Sequence, residues 1–225
     1  MSKTTFLPAL LISLSGFAPF AWSTTPVATF NSENLSRWQQ RSFVGNTQYT
    51  IVSLDDSSVL KAQSNGTASI IAKPYRIDLL KTPYINWSWK VENTLLGLNE
   101  RTKQGDDYAA RVYLVLGRNL TSPSTKVINY VWSSNQAMGA NWNNAYVGKR
   151  AQMLAVQGKG SPIKTWQQEK RNVYQDLIQL FGDKGSSKSN EAAYRYIDVV
   201  AIMTDTDNSQ QSATAYYGDI FFTAK

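Results

Sequence analysis

Between Tyr84 and Glu92 large apolar side chains take every second position: Ile85, Trp87, Trp89 and Val91 point one way, Asn86, Ser88 and Lys90 the other. A period of two describes an extended strand with one buried face, and two tryptophans on that face call for a deep core. The same alternation sets Tyr49, Ile51 and Ser53 against Thr50, Val52 and Leu54. Further strands are predicted over 67–72, 109–116, 127–132, 149–157, 196–203 and 213–222. Asn46, Asp55-Asp56, Asn65-Gly66, Gly97, Gly139 and Asp207-Asn208 supply the turns between them. Around ten short strands without alternating helices argue against a parallel α/β sheet. They predict an all-β chain, an antiparallel β-sandwich whose most economical form is a jelly roll.

One segment changes period. Trp166, Val173, Leu177, Leu180 and Phe181 recur at helical spacing, Thr165 stands as N-cap and Gly182 as a stop. The spacing predicts one amphipathic helix from Trp166 to Phe181, packed on the sandwich through Trp166, Val173, Leu177 and Phe181. The polar run 182–190 reads as a mobile surface loop.

The chain of 225 residues has neither cysteine nor histidine. Disulfides, zinc-thiolate sites, Ser-His-Asp and Cys-His nucleophiles and imidazole bases are thereby excluded. Lys3, the apolar stretch Phe6 to Phe20 and the small-x-small Ala21-Trp22-Ser23 form a secretory signal peptide over residues 1–23. The apolar run is short and carries Pro8, Gly16 and Pro19, so it is not a membrane span. The expectation is a single β-sandwich domain over 24–225, periplasmic or secreted, with no later membrane span. Net charge is +7, but the lysines and arginines do not cluster, so nucleic acid is not the expected partner.

Six of the 16 acidic residues fall in three places: Glu100 with Asp106-Asp107, Asp205 with Asp207, and Asp219 in the last strand. Asp205 and Asp207 project to one side if strand geometry persists, and such pairs suit a turn, a Ca²⁺ ion or acid–base chemistry. Asp106, Asp107, Tyr108 and Arg111 read either as an ion pair or as the floor of a polar cleft with one carboxylate as acid or base. Asp219 lies in the apolar run Tyr216 to Phe222, where a buried charge needs a partner. Arg111, Arg101, Lys103 or a metal shared with Asp106, Asp107, Asp205 and Asp207 would serve, converging at one end of the sandwich. The second resource is aromatic. Trp132, Trp142 and Tyr146 are interleaved with Asn135 and Asn141 in a stretch lacking apolar period. Aromatic faces flanked by amides make a sugar platform, although the same residues suit a packed loop.

Several segments in order resemble one family: Trp87 to Asn93, Glu100 to Tyr113, Asn129 to Trp132, Arg171 to Tyr174, Val200 to Asn208 and Ala213 to Phe221. Over roughly residues 28–223 the chain is similar to the family called domain of unknown function 3047. That resemblance implies an exported bacterial domain of one piece and assigns no activity. The tail Tyr217-Gly-Asp-Ile220 is similar to the closing strand of jelly-roll carbohydrate-binding modules, where an acidic residue near the end serves a structural calcium. Here Gly218 stands where such modules carry a further acidic residue. Three readings stay open: a non-catalytic binder of carbohydrate or an envelope glycan, a polysaccharide hydrolase or lyase, and a structural or protein-interaction domain. The residues leave the oligomeric state open.

Overall fold

The computed structural model describes residues 24–30, 35–117, 122 and 124–225; the predicted signal peptide, 1–23, lies outside them. Strands run in chain order as β1 (Thr24–Ala28), β2 (Gln39–Val44), β3 (Gln48–Leu54), β4 (Ser57–Asn65), β5 (Ala68–Asp78), β6 (Tyr84–Val91) and β7 (Tyr108–Leu116). They continue as β8 (Lys126–Trp132), β9 (Asn141–Asn144), β10 (Gly148–Gln157), β11 (Gln167–Asn172), β12 (Tyr196–Asp205), β13 (Ser212–Tyr217) and β14 (Ile220–Thr223). Two short helices, α1 (Val173–Phe181) and α2 (Ser187–Tyr194), stand between β11 and β12.

The strands form two sheets that pack into the expected antiparallel, jelly-roll-like sandwich. One has the order β2-β5-β12-β7-β8-β10-β9. Its β8–β10 pair is parallel, a departure from the all-antiparallel expectation, because the chain crosses over through β9 before returning. In the other sheet β6 is central. On one flank it pairs with β11, and on the other with β13 and β14, which run end to end. The far side of that composite strand is covered by β4 up to Tyr217↔Leu60 and by β1 from Ala28↔Ile220. Between these two registers neither β4 nor β1 pairs with Gly218 or Asp219, although the Gly218 N–H still donates to the Ser88 carbonyl of β6 at 2.9 Å, and the single strand predicted over 213–222 is interrupted there.

The alternation in β6 is realised in full. Ile85, Trp87, Trp89 and Val91 are buried, while Tyr84, Asn86, Ser88 and Lys90 stay half-exposed on the outer face. Across the sandwich Trp87 stacks on Tyr130 of β8 (centroids 5.4 Å) and Trp89 meets the edge of Trp132 (5.8 Å). Trp87 and Trp89 also pack edge to face at 5.3 Å. Burying these four rings between the sheets supplies a large share of the core. The Trp89 indole N–H donates to Glu169 of β11 at 3.0 Å, so the core also fixes the strand beside β6.

The predicted helix is shorter than its apolar spacing suggests, and a second follows it. Residues 167–172 extend along β6 as β11, since their backbone groups pair from Gln167↔Trp89 to Asn172↔Tyr84. The N-cap is Asn172, whose side chain accepts the Gln175 N–H, and not Thr165. Val173 and Leu177 are buried as expected and Phe181 is half-buried, whereas Trp166 lies before β11, off the helix. The run read as a mobile loop contains the start of α2, capped by Ser186 accepting from Ser189 N–H.

Trp89→Ala removes a fully buried ring, one stacking partner and the donor to Glu169. Chemical denaturation should show a loss of about 3–5 kcal/mol; a loss under about 1 kcal/mol would show that the ring pair does not hold the sheets together.

Candidate functional site

The acidic residues singled out from sequence meet at the end of β7 and β12. Arg111 Nε donates to Asp205 Oδ1 at 2.8 Å, and its Nη2 bonds the other oxygen of the same carboxylate. Nη2 also donates to the Asp106 carbonyl at 3.1 Å, and Nη1 lies 3.8 Å from Asp106 Oδ2. Asp107 accepts from Asn208 N and Nδ2 at 3.2 and 3.1 Å and from Ser209 N at 2.6 Å. Tyr108 donates its hydroxyl to the Glu100 carbonyl at 3.1 Å, and the guanidinium lies over its ring. Asp106, Asp107, Tyr108, Arg111 and Asp205 are all at most 5% exposed; Asp207 is half-buried. The cleft-floor reading is therefore corrected. The convergence is real, but these groups bond one another inside the sandwich end, and Arg111 is the partner that makes burial of Asp205 tolerable.

Asp219 does not join them. It is half-buried on the other sheet, where Oδ1 accepts the Phe30 N–H at 2.9 Å. Its partner is the Phe30 backbone amide, not Arg111. The expected metal set Asp205, Asp207 and Asp219 is thus divided, and carboxylate oxygens of Asp107, Asp205 and Asp207 approach within 4.8 Å instead. These residues do not fit Ca²⁺, which asks for 6–8 oxygen ligands. Asp205 is engaged at both oxygens by Arg111, and both Asp107 oxygens accept N–H donors.

Nor do the central aromatics form an open platform. Trp132 is fully buried, and Trp142 is 5% exposed, stacked on Tyr108 with its N–H on the Glu100 carbonyl at 3.2 Å. Tyr146, 53% exposed, donates its hydroxyl to Asn208 Oδ1 at 2.9 Å with the Lys103 ammonium over its ring. Asn135 is exposed, but its side-chain amide is tied to the Leu98 carbonyl; Asn141 is exposed in β9. Trp142 packs with Tyr108, Val131 and Met153 as a small second core, whereas Trp132 belongs to the main one.

An open concavity lies elsewhere, on the outer face of the β6 sheet. Where β4 and β1 both leave Gly218 and Asp219 uncovered, a groove of about 500 Å³ opens. It is lined by Ser88, Gly218 and Asp219, by Gln168 and Trp166, and by the β3–β4 turn with Asp55 and Asp56. A second hollow of about 280 Å³ shares Ser88, Gln168 and Asp219 and continues past Asn86 and Phe221. Gly218 lies close under Ser88: a Cβ there would meet Ser88 Oγ at 2.2 Å and force the hydroxyl to turn away. The half-buried Trp166 indole donates to Asp55 Oδ2 at 3.1 Å, which fixes the ring as a wall. Lys90 lies between the Trp166 and Tyr216 rings, 5.8 and 4.8 Å from their centroids.

Sequence reasoning reached only part of this groove. The outward set Asn86, Ser88, Lys90 follows from the period of β6. The helical spacing places Trp166 on a helix, and the alternation carries one long strand through Gly218-Asp219. A Gly-Asp pair inside an apolar run is a signal for a strand interruption, and it marks the opening.

Four acids sit where burial raises their pKa above the usual carboxylate range. Burial pushes Glu100 up against the Ser133 hydroxyl and the Ser134 and Asn135 amides, and pushes Asp106 up against the pull of Arg111. Burial likewise raises Glu169, opposed by Gln157 and Trp89, and raises Asp207, reinforced by the Asp107 charge. A raised folded pKa favours the fold below the ordinary carboxylate range, and that contribution is lost as pH climbs through the raised value. Asp78, lowered by its Arg195 hydrogen bond, and Asp183, lowered by the Gly185 amide, act oppositely but are at the surface or half-exposed. Thermal melts should accordingly show stability falling as pH rises from the ordinary carboxylate range toward neutrality, with Glu100→Gln flattening the fall. Stability that rises over that interval would contradict this balance.

No curated protein shows significant sequence similarity to this chain. Among solved structures, a family 61 carbohydrate-binding module in complex with β-1,4-galactotriose superposes with a TM-score of 0.39 at 7% identity, covering 87% of this chain and 92% of its own. A family 29 module from Piromyces equi gives 0.38 at 13% identity, covering 91% and 92%. A β-1,2-glucanase from Parabacteroides distasonis gives 0.40 at 8% identity over 83% of this chain and 23% of its own. The family model described as protein of unknown function (DUF3047) matches residues 36–221. The chain belongs to the DUF3047 family.

Proposed function

We propose that this protein is an exported, non-catalytic glycan-binding sandwich whose ligand lies in the outer groove of the β6 sheet. One observation carries the reading. A fixed, half-buried indole, Trp166, borders a groove of about 500 Å³ lined by short polar side chains and carboxylates. An aromatic wall stacks on the CH faces of a pyranose, while Ser88, Gln168 and Asp219 meet its hydroxyls. The groove volume falls in the range of small-ligand sites. Binding is favoured over hydrolysis because the acids expected to carry catalysis lie away from the groove, Asp107 and Asp205 buried and held by backbone amides and Arg111.

Export rests on the leader over 1–23, followed directly by β1 from Thr24. Among the described residues no helix is long and apolar enough to cross a membrane. N-terminal sequencing of the protein produced in a bacterial host should return Thr24 as the first residue; an intact Met1 would refute processing. The binding reading is tested on a glycan array, followed by calorimetry with the best oligosaccharide. Trp166→Ala should abolish binding with a melting temperature close to the parent's, because the ring is only half-buried. Unchanged affinity in that variant, or a blank array, would overturn the groove as the site.

A further inference from the structure

The charge of the groove is opposite to that of the chain. The protein carries 23 lysines and arginines against 16 acids, yet the larger hollow is lined by Asp55, Asp56 and Asp219 and by no basic residue. The adjoining hollow adds a single base, Lys170, whose ammonium lies 5.2 Å from the Tyr84 ring centroid; Glu169 also borders it, but its carboxylate is held by Trp89 and Gln157. Lys90, the other nearby cation, sits between two rings and 3.6 Å from Glu92. The turn bearing Asp55 and Asp56 sharpens the contrast. Both residues have left-handed backbones, φ 52° and 59°. A two-residue turn of this kind favours Asn-Gly, which satisfies the same geometry without placing two like charges side by side. Carboxylates also accept from the hydroxyls of a neutral sugar, but three of them with no base in the lining favour a cationic group, and a uronic acid would be repelled.

We infer that the groove selects glycans bearing free amino groups: an amino-sugar ring stacks on Trp166 while its ammonium pairs with Asp56 and Asp219. This rests on the glycan reading above and adds the substrate class. Asp219 suits the role because one oxygen, Oδ1, is held by the Phe30 amide, which orients the carboxylate. Asp55 is oriented by the Trp166 N–H, so the ring and one negative charge are set together. The pairing is at the surface and is weakened by salt.

Titration calorimetry of the purified protein with four probes tests this: the β-1,4-linked glucosamine tetrasaccharide, its N-acetylated form, a galacturonic acid tetrasaccharide and tetralysine. The free amine form should bind about tenfold or more tightly than the acetylated one, the acid should not bind, and the preference should shrink in about 1 M salt. Asp56→Asn should lose most of the preference while retaining the turn, and Asp219→Asn, which keeps the Oδ1 acceptor, should do the same. Equal binding of amine and acetylated forms would overturn the charge inference and leave the glycan reading standing. Tetralysine binding as tightly as the amino sugar would replace the sugar site with a general cation surface, and the class assignment would fall. No binding of any saccharide would remove both readings.

Discussion

The contact between β6 and β8 is the interaction on which the rest of the molecule depends. Trp87 and Trp89 on one sheet lie against Tyr130 and Trp132 on the other, with all four rings at most 2% exposed. With no cysteine available, no disulfide can relieve this core of its task. The pairing fixes the distance between the sheets and, through the strict alternation of β6, fixes what faces outward. Trp89 reaches further, since its N–H holds Glu169, Glu169 holds Gln157, and β11 is thereby set beside β6 with Gln168 and Trp166 toward the groove.

Two departures from regular sheet geometry then divide the polar chemistry of the chain. At Gly218–Asp219 the composite strand loses its far partner, and a hollow opens over Ser88 on an otherwise continuous outer face. At the ends of β7 and β12 the opposite occurs. Asp106, Asp107, Asp205 and Arg111 are drawn inward, where the bidentate Arg111 pair satisfies Asp205 and the Asn208 and Ser209 amides satisfy Asp107, while Asp106 Oδ1 is buried without a hydrogen-bond partner. Acids that look alike in the chain thus serve different ends. Those beside Arg111 hold strand ends together, whereas Asp55, Asp56 and Asp219 border the open groove.

What was legible in the sequence followed from local periodicity. The sandwich could be read because β6 alternates without exception, and the Arg111 partnership because Arg111 and the acids lie near the ends of two recognisable strands. Long-range pairing decided the rest. Residues 167–172 carry no strand-like alternation; they extend because β6 offers an unpaired edge, and Trp166 consequently leaves the helix for the groove wall. Trp142 has no apolar period around it, yet it is buried by Tyr108, a residue far away in the chain. Asp219 looked like a buried charge in search of a cation, but the break in its strand put a backbone N–H within reach and opened the site to solvent. Each difference is a contact between distant segments that no window of neighbouring residues contains.

The central claim is that ligand binding occurs at the strand break on the β6 sheet and not at the aromatic stretch beside the Arg111 network. Backbone amide chemical shifts followed by NMR during titration with the glucosamine tetrasaccharide locate the contact directly. The account predicts shifts concentrated at Ser88, Gln168, Gly218, Asp219 and the Asp55-Asp56 turn, with Asn141 to Val147 unmoved. Shifts centred on Asn141, Trp142 and Tyr146, with the Gly218–Asp219 amides silent, would contradict it.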